Sequence, residues 1–237
     1  MIRADRFIAE QMNISRSDAA AAVRSGRVTV NGRRLSPSDK IDEGKDAVMF
    51  DGRQVRYRRN VYIMLNKPVG VICAARDRLT ETVADLIPPE LRRKGLFPAG
   101  RLDKDTTGFV FITDDGAMAH DMLSPKKHVE KEYVVTLRDP VTDRERYISV
   151  ISAGMEIDGG EICRPAVISF TDDPSVVHLV LCEGKYHQVK RMMHALGNEV
   201  TALRRIRIGG LVLDESLAEG QCRELSGDEV RKICTIS

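Results

Sequence analysis

Apolar residues recur every three or four positions in two short segments at the start of the chain. In the first segment this spacing predicts an amphipathic helix that starts near Ala4 and ends near Asn13. In the second, Ser15 is suited to cap a helix, with Asp18 three residues further on, and Gly26 stands where helices commonly stop. The chain is therefore expected to begin with two consecutive helices.

A hairpin and then a longer strand-rich region are predicted after these helices. Val28 and Val30 alternate with polar residues before Asn31-Gly32, a two-residue sequence that favours tight hairpin turns. The later predicted strands are VYIML, VGVICAA, GFVFIT, EYVVTL, CRPAVISF and VVHLVL, and the later predicted helices span 115–123, 143–152, 187–196 and 226–234. Many strands with few helices between them predict an α+β fold whose mixed, mainly antiparallel sheet is flanked by helices.

The change of pattern near residue 60 predicts two domains. Residues 1–59 comprise the small helix-helix-hairpin domain together with a polar, basic linker that begins at residue 52, and residues 60–237 comprise the larger domain. A chain of 237 residues is long enough for both.

Charge is unevenly divided between the two predicted domains. Residues 1–59 contain 13 Lys and Arg against 8 Asp and Glu, whereas the remainder contains 24 against 27. This asymmetry indicates a basic module that holds a polyanion, although charge alone is equally compatible with a solvated surface. Guanidinium groups suit phosphate binding. The candidates are Arg16, Arg24, Arg27, Arg33 and Arg34.

Composition argues against several other classes of protein. No apolar stretch approaches the roughly 20 residues of a membrane helix, and the first residues lack the features of a signal peptide. The five cysteines are odd in number and show no Cys-x-x-Cys spacing, which argues against a disulfide framework and a zinc site. We expect a cytoplasmic monomer with no membrane association and no metal.

The predicted helix at 187–196 has one apolar and one cationic face. The apolar face carries Val189, Met192, Met193 and Leu196. The opposite face carries His187, Lys190, Arg191 and His194. These cations either face a cleft or are simply solvated, and the helix alone gives both readings equal weight.

Asp103, in GRLDKDTTG, is the candidate for chemistry. A lone Asp before a Thr-Thr-Gly turn is usually structural. At strand spacing, however, Arg101 would project to the same side as Asp103 and bring a cation beside the carboxylate. No Ser-His pair, Gly-rich phosphate loop or metal cluster elsewhere in the sequence competes for a chemical role.

Five segments resemble known families. GRLDKDTTGFVFITDDG resembles the signature of pseudouridine synthases, and LNKPVGVIC, EKEYVVTL and EGKYHQVKRMMHALGNEVTALRRIRIGGLVL agree with it. SRSDAAAAVRSGRVTVNGRRL resembles the S4 RNA-binding domain over about residues 2–50. Together these segments span most of the chain and resemble the RsuA-like branch, whose members modify ribosomal RNA. The YHQVKR sequence is similar to small-subunit members, whereas large-subunit members more often read Asn-Arg-Gln there.

This resemblance implies that a uridine in ribosomal RNA, in the small subunit, is isomerised to pseudouridine without a cofactor. The N1–C1′ bond breaks, the base turns over while held, and the ribose rejoins through carbon 5. By motif match, Asp103 is the catalytic carboxylate, which attacks the sugar or base or stabilises positive charge at C1′. Tyr133 packs against the displaced base and assists proton transfer. Lys190 pairs with Asp103, at a position where the family more widely has Arg.

The same resemblance assigns substrate-binding residues and leaves alternatives open. Arg101 is expected to hold the target nucleotide out of its stack, and His187 and Arg191 are further substrate-binding candidates. The expected partner is ribosomal RNA, either free or in a partly assembled small subunit. The alternatives are a large-subunit synthase, a non-catalytic RNA-binding assembly factor, and a glycosidase that uses Asp105 as a second acid.

Overall fold

A computed structural model describes residues 1–124 and 126–234 and divides into two compact units. The first contains residues 1–61 and 88–96, and the second contains residues 62–87 and those from 97 onward. Residues 88–96, which the sequence pattern places in the larger domain, thus cluster with the first unit. The predicted larger domain extends to Ser237, but Pro125 and residues 235–237 lie outside the described residues.

The first unit packs two helices against short strands. Its elements are β1 (Ile2–Arg3), α1 (Ala4–Met12), α2 (Arg16–Arg24), β2 (Val28–Val30), β3 (Arg33–Arg34), β4 (Lys40–Ile41), β5 (Val48–Phe50) and β6 (Arg53–Gln54). Strands β3, β2, β5 and β6 form one sheet in that order, and β1 pairs with β4. Apolar residues such as Phe7, Val23 and Val28 meet in a shared core. The helix-helix-hairpin prediction is confirmed.

Local chemistry explains where these elements begin and turn. The Ser15 side chain accepts a hydrogen bond from the Asp18 backbone N–H at 3.1 Å, which caps α2 as predicted. Asn31 and Gly32 both have positive φ, 51° and 76°, as the predicted two-residue hairpin turn requires.

The prediction of a linker that begins at residue 52 is partly wrong. Arg53 and Gln54 form β6, because Asp51-Gly52 makes a second two-residue hairpin turn between β5 and β6. Further along the same segment, Tyr57 stacks on Phe7 with ring centroids 5.8 Å apart. These residues therefore belong to the folded first unit.

The second unit is built on one large sheet. Its elements are β7 (Tyr62–Lys67), β8 (Phe97–Ala99), β9 (Thr107–Thr113), α3 (Gly116–Leu123), β10 (Lys131–Leu137), α4 (Arg144–Ala153), β11 (Glu156–Ile157), a 3-10 turn (Asp158–Gly160), β12 (Glu161–Ile162), β13 (Val167–Phe170), β14 (Val176–Leu181), α5 (Gln188–Ala195), β15 (Val200–Ile208), β16 (Leu211–Val212), β17 (Cys222–Glu224) and α6 (Gly227–Ile233). The sheet order is β13-β14-β10-β15-β9-β7-β17, with β8 on β9 and β16 on β15. Only the β15–β9 pair is parallel within this described order. The predicted α+β fold with a mixed, mainly antiparallel sheet is confirmed.

Two predicted strands differ from the structure. The run VGVICAA is not a strand, since Gly70 turns the chain at φ 90° and the run makes only one isolated bridge, from Ile72 to Thr82. The run CRPAVISF is a strand only over Val167–Phe170, because Pro165 has no N–H to donate to a ladder. The four predicted helices after residue 60 all form, with ends within two residues of those expected.

Strand β9 forms the centre of the core and positions the site. Phe109, Val110, Phe111 and Ile112 are all fully buried, as expected for a strand covered on both faces. Neighbouring β7 contributes the equally buried Met64. The turn that contains Asp103 leads directly into β9, so a fully buried strand anchors it.

Candidate active site

An open cleft lies where the turn before β9 meets the side chains of β10 and the start of α5. It contains about 470 Å³ of empty space including its mouth, within the ~300–1,000 Å³ typical of ligand sites. Its lining includes Arg101, Asp103, Thr106, Tyr133, His187 and Lys190. Five of the six residues predicted to act in catalysis or substrate binding thus surround one space.

The Asp103 turn is held by Lys67, whose role the sequence analysis missed. The fully buried Lys67 ammonium donates to the carbonyl oxygens of Pro68 at 2.9 Å, Lys104 at 3.2 Å and Thr106 at 2.8 Å. Three acceptors satisfy all three N–H groups of the ammonium. Burial, the largest cause, nevertheless lowers the pKa of Lys67. Lys67 therefore fixes the backbone on the C-terminal side of Asp103.

The segment wrongly predicted as a strand supports the same turn. The Gly70 N–H donates to the Lys104 carbonyl at 2.9 Å, and the Leu102 N–H donates to Cys73 Sγ at 3.3 Å. Burial raises the pKa of the Cys73 thiol, which remains neutral beside this backbone. Gly70 and Cys73 thus support the turn that contains Asp103.

Lys190 is shared between two carboxylates. Its Nζ lies 3.5 Å from Asp103 Oδ2 but donates to Asp105 Oδ1 at 2.7 Å and Oδ2 at 2.8 Å. His187 Nε2 lies 3.5 Å from Asp103 Oδ1. The expected Lys190–Asp103 pair is present only as the longer contact, because the more exposed Asp105 takes the hydrogen bonds. Each carboxylate oxygen of Asp103 thus lies near one nitrogen, and neither contact is as short as the hydrogen bonds between Lys190 and Asp105.

The position of Asp105 argues against the glycosidase alternative. A second catalytic acid must hold a proton at neutral pH, which requires a raised pKa. The hydrogen bond from Lys190 instead lowers the pKa of Asp105. Its side chain is also 68% exposed. Asp105 is therefore an ionised partner of Lys190 and unsuited to protonating a leaving group.

Tyr133 reaches the cleft through an irregularity in β10. The pairing of β10 with β15 shifts register between Glu132 and Tyr133, so that Glu132 faces Arg207 and Tyr133 faces Arg205. Such bulges re-aim side chains next to active sites. Tyr133 is only 8% exposed and forms part of the cleft wall.

The two faces of α5 behave differently. Val189, Met192, Met193 and Leu196 are buried, which confirms the predicted core face. On the other face, Lys190 reaches the cleft, but Arg191 bonds Asp158 and, at 2.8 Å, Glu161. Arg191, predicted to bind substrate, is thus engaged with acids around the 158–160 turn and is not among the residues lining the cleft.

A buried arginine in strand β15 was also not predicted from the sequence. Arg205 of β15 is almost fully buried, and its Nε donates to the Phe109 carbonyl at 2.8 Å. Its own carbonyl faces Gly108, where an added Cβ would lie only 2.2 Å away. The Thr-Thr-Gly sequence at the start of β9 carried a signal for this close contact, since a glycine there permits close approach of two strands.

The predicted RNA-binding arginines of the first unit differ in their availability. Arg27 pairs with Asp51 and lies over the Phe50 ring at 4.9 Å, and Arg16 lies 3.4 Å from Asp5. Within residues 1–124 and 126–234, no ion pair or side-chain hydrogen bond engages the three remaining exposed guanidinium groups. These are Arg24, Arg33 and Arg34.

Two other kinds of feature are absent from the described residues. No helix among them is long and apolar enough to cross a membrane. In the same part of the chain, no group of three or more His, Cys, Asp or Glu side chains is arranged to hold a metal ion.

Comparison with known proteins identifies the family. Residues 61–195 match the RNA pseudouridylate synthase family, and residues 2–46 match the S4 domain. The uncharacterized RNA pseudouridine synthase YtzG of Bacillus subtilis is 42% identical over 233 residues, 97% of each chain. The ribosomal small subunit pseudouridine synthase A of Haemophilus influenzae is 42% identical over 234 residues, 98% of this chain and 99% of its own. A crystal structure of a pseudouridylate synthase, 42% identical, covers 98% of this chain and 100% of that one with a TM-score of 0.69. The chain therefore belongs to the RNA pseudouridylate synthase family of isomerases and carries an N-terminal S4 domain.

Proposed function

We propose that this enzyme converts a uridine of small-subunit ribosomal RNA to pseudouridine, with Asp103 as the catalytic carboxylate. The observation that carries the proposal is the Asp103 side chain, which faces the cleft with Lys190 Nζ and His187 Nε2 each 3.5 Å from its oxygens. The choice of small-subunit RNA is supported by the Haemophilus influenzae relative, which is named for that subunit and matches nearly the whole chain.

The reaction needs no reactant other than the uridine. The N1–C1′ bond breaks, the uracil turns over, and a C5–C1′ bond forms. C5 loses its proton and N1 gains one, so atoms and electrons balance. The Asp103 carboxylate supplies the negative charge, either as a nucleophile toward the sugar or base or as a stabiliser of positive charge at C1′.

The neighbouring side chains have separate tasks in this proposal. Tyr133, almost fully buried in the cleft wall, packs against the uracil and assists proton transfer. Lys190 places its positive charge 3.5 Å from the Asp103 carboxylate. Arg101, exposed at the cleft, holds the target nucleotide out of its stack. Unstacking costs a few kcal/mol, which contacts to the RNA backbone must offset.

The S4 domain supports RNA as the substrate, and its arginines are proposed to supply affinity rather than chemistry. We further propose that the enzyme acts as a cytoplasmic monomer on free RNA or on a partly assembled small subunit.

Asp103→Asn tests the proposal directly. The amide keeps the size and hydrogen bonds of the turn, so stability should fall by about 1 kcal/mol or less. It is a poor nucleophile and carries no charge, so product should fall to background while RNA affinity persists. The measurements are thermal melting, RNA affinity, and carbodiimide mapping of pseudouridine in small- and large-subunit RNA.

Each competing function predicts a different result. If the wild-type chain binds RNA but forms no pseudouridine in free or partly assembled subunits, it is an RNA-binding assembly factor. Product confined to large-subunit RNA would identify a large-subunit synthase. A near-normal pseudouridine yield from Asp103→Asn would show that Asp103 only stabilises the turn.

A further inference from the structure

Tyr186 is an exposed aromatic residue next to the cleft, and the proposed chemistry gives it no task. It is 74% exposed. Its ring lies against the His187 ring, with centroids 3.9 Å apart and planes 17° apart. A stack of this kind buries one face of the Tyr186 ring and leaves the other in solvent. The open face of such a ring is free to bind another flat group, and tyrosine is enriched at binding interfaces.

The Tyr186–His187 pair is held in place on several sides. Arg191 donates to the Tyr186 carbonyl at 3.1 Å, and the same guanidinium is anchored on Asp158 and Glu161. His187 adopts a left-handed backbone conformation with φ 47°, which is uncommon for a residue other than glycine. Such conformations persist where surrounding contacts enforce them, and they cluster at functional sites. This also gives Arg191 a task, that of holding Tyr186.

The pair extends outward from the proposed catalytic carboxylate. His187 Nε2 lies 3.5 Å from Asp103 Oδ1, and Glu183, Gly184 and Lys185 of the same loop line the cleft.

A nucleotide turned into the cleft leaves its neighbours in the RNA unstacked. Unstacked bases are commonly held by aromatic side chains, whose faces accept any base. We propose that Tyr186 is a stacking platform for an unpaired base adjacent to the target uridine. This inference rests on the proposed function for the identity of the cleft.

Tyr186→Ala provides the first test. Affinity for small-subunit ribosomal RNA should fall about 5- to 100-fold, since one stacked base is lost. The salt dependence of binding should stay the same, because no phosphate contact is removed. Tyr186→Phe should retain wild-type affinity within twofold. Leu79→Ala is the control and should bind as wild type, because Leu79 is also exposed but, unlike Tyr186, does not adjoin residues that line the cleft.

The absence of tryptophan from the sequence allows a direct optical test. Tyr186→Trp introduces the single indole of the chain, and its emission should be quenched when a base stacks on it. Small-subunit ribosomal RNA should quench it strongly, and a fully paired RNA duplex should quench it much less. In turnover, Tyr186→Ala should raise KM and leave kcat within about threefold.

Neither binding nor quenching requires turnover, so this inference can be separated from the proposed function. A wild-type chain that forms no pseudouridine overturns the proposed function alone. Unchanged affinity of Tyr186→Ala, or unchanged Tyr186→Trp emission at saturating small-subunit RNA, overturns the stacking platform. A loss of affinity in Tyr186→Phe equal to that in Tyr186→Ala would show that the hydroxyl, rather than the ring, makes the contact.

Discussion

At the scale of single residues, the contacts of the Lys190 ammonium with two carboxylates, Asp103 and Asp105, are the feature most open to experiment. A lysine ammonium is a point charge on a flexible stem and lacks the planar fork with which arginine bonds a carboxylate bidentately. Here it donates to both oxygens of Asp105 and stays 3.5 Å from Asp103. Asp105 therefore sets how strongly the cation acts on Asp103.

Two substitutions should move the pH dependence of activity in opposite directions. Lys190→Met removes the cation that lowers the pKa of Asp105 and lies 3.5 Å from Asp103, so both carboxylates lose a nearby positive charge. Activity should fall, recover partly as pH rises, and show its acid limb at higher pH. Asp105→Asn leaves the ammonium to Asp103 alone, and the acid limb should move to lower pH. The measurement is kcat/KM against pH for both variants and the wild type.

The same profiles can refute this view of Asp105. If Asp105→Asn abolishes activity at every pH while the chain stays folded, Asp105 enters the chemistry itself. If the acid limbs of both variants coincide with that of the wild type, Lys190 has no electrostatic role in the reaction.

At the scale of elements, the parallel contact between β9 and β15 positions the site. Gly108 pairs with Arg205 across this contact. Its φ of 96° is unfavourable for any residue with a side chain, and an added Cβ would meet the Arg205 carbonyl oxygen at 2.2 Å. Because Asp103 lies in the turn just before β9, any separation of these strands displaces it.

Gly108→Ala should therefore destabilise the fold by at least about 2 kcal/mol and reduce activity even where the chain remains folded. Urea denaturation and pseudouridine yield at low temperature provide the measurements. Gly116→Ala is the matched control, because Gly116 begins α3 with open space where its Cβ would stand. It should be neutral or stabilising by up to about 1 kcal/mol. Equal stability of both variants would contradict the strand-contact argument.

At the scale of the whole molecule, positive charge and chemistry belong to different parts of the chain. The excess of basic residues lies in residues 1–59, whereas the proposed catalytic residues all follow residue 100. Among the predicted RNA-binding arginines, Arg24, Arg33 and Arg34 are exposed, while Arg27 is paired with Asp51. Phosphate binding is therefore expected to depend more on the first three.

Replacing Arg24, Arg33 and Arg34 together by Gln should weaken RNA binding and lower the slope of log affinity against log salt. Each lost phosphate contact reduces that slope by roughly 0.7–0.9, because fewer counterions are released. Turnover at saturating RNA should be close to wild type. Arg27→Gln is the control. Because Arg27 is paired with Asp51, this variant should lower the melting temperature and change the salt slope little. An unchanged slope in the triple variant would mean that these arginines do not contact the RNA backbone.

The sequence predicted the local elements well where short-range chemistry dominates. The Ser15 cap and the Asn31-Gly32 turn depend on neighbouring residues alone, and both formed. The second hairpin turn, Asp51-Gly52, depends equally on neighbouring residues. It was not predicted, because the basic composition around it favoured a linker. Strand β15 was missed for a different reason, since its run of arginines is atypical of a strand in the middle of a sheet.

The sequence by itself determined the family, the α+β class, the apolar face of α5 and most of the predicted residues that line the cleft with Asp103, because periodicity and ordered motifs are encoded along the chain. Tertiary structure alone decided the partners of each charge. Lys190 bonds Asp105, Arg191 holds acids and the Tyr186 carbonyl, and Lys67 fixes the Asp103 turn. The physical reason is that ion pairs and buried hydrogen bonds depend on differences of about 1 Å between groups far apart in sequence, which no local pattern specifies.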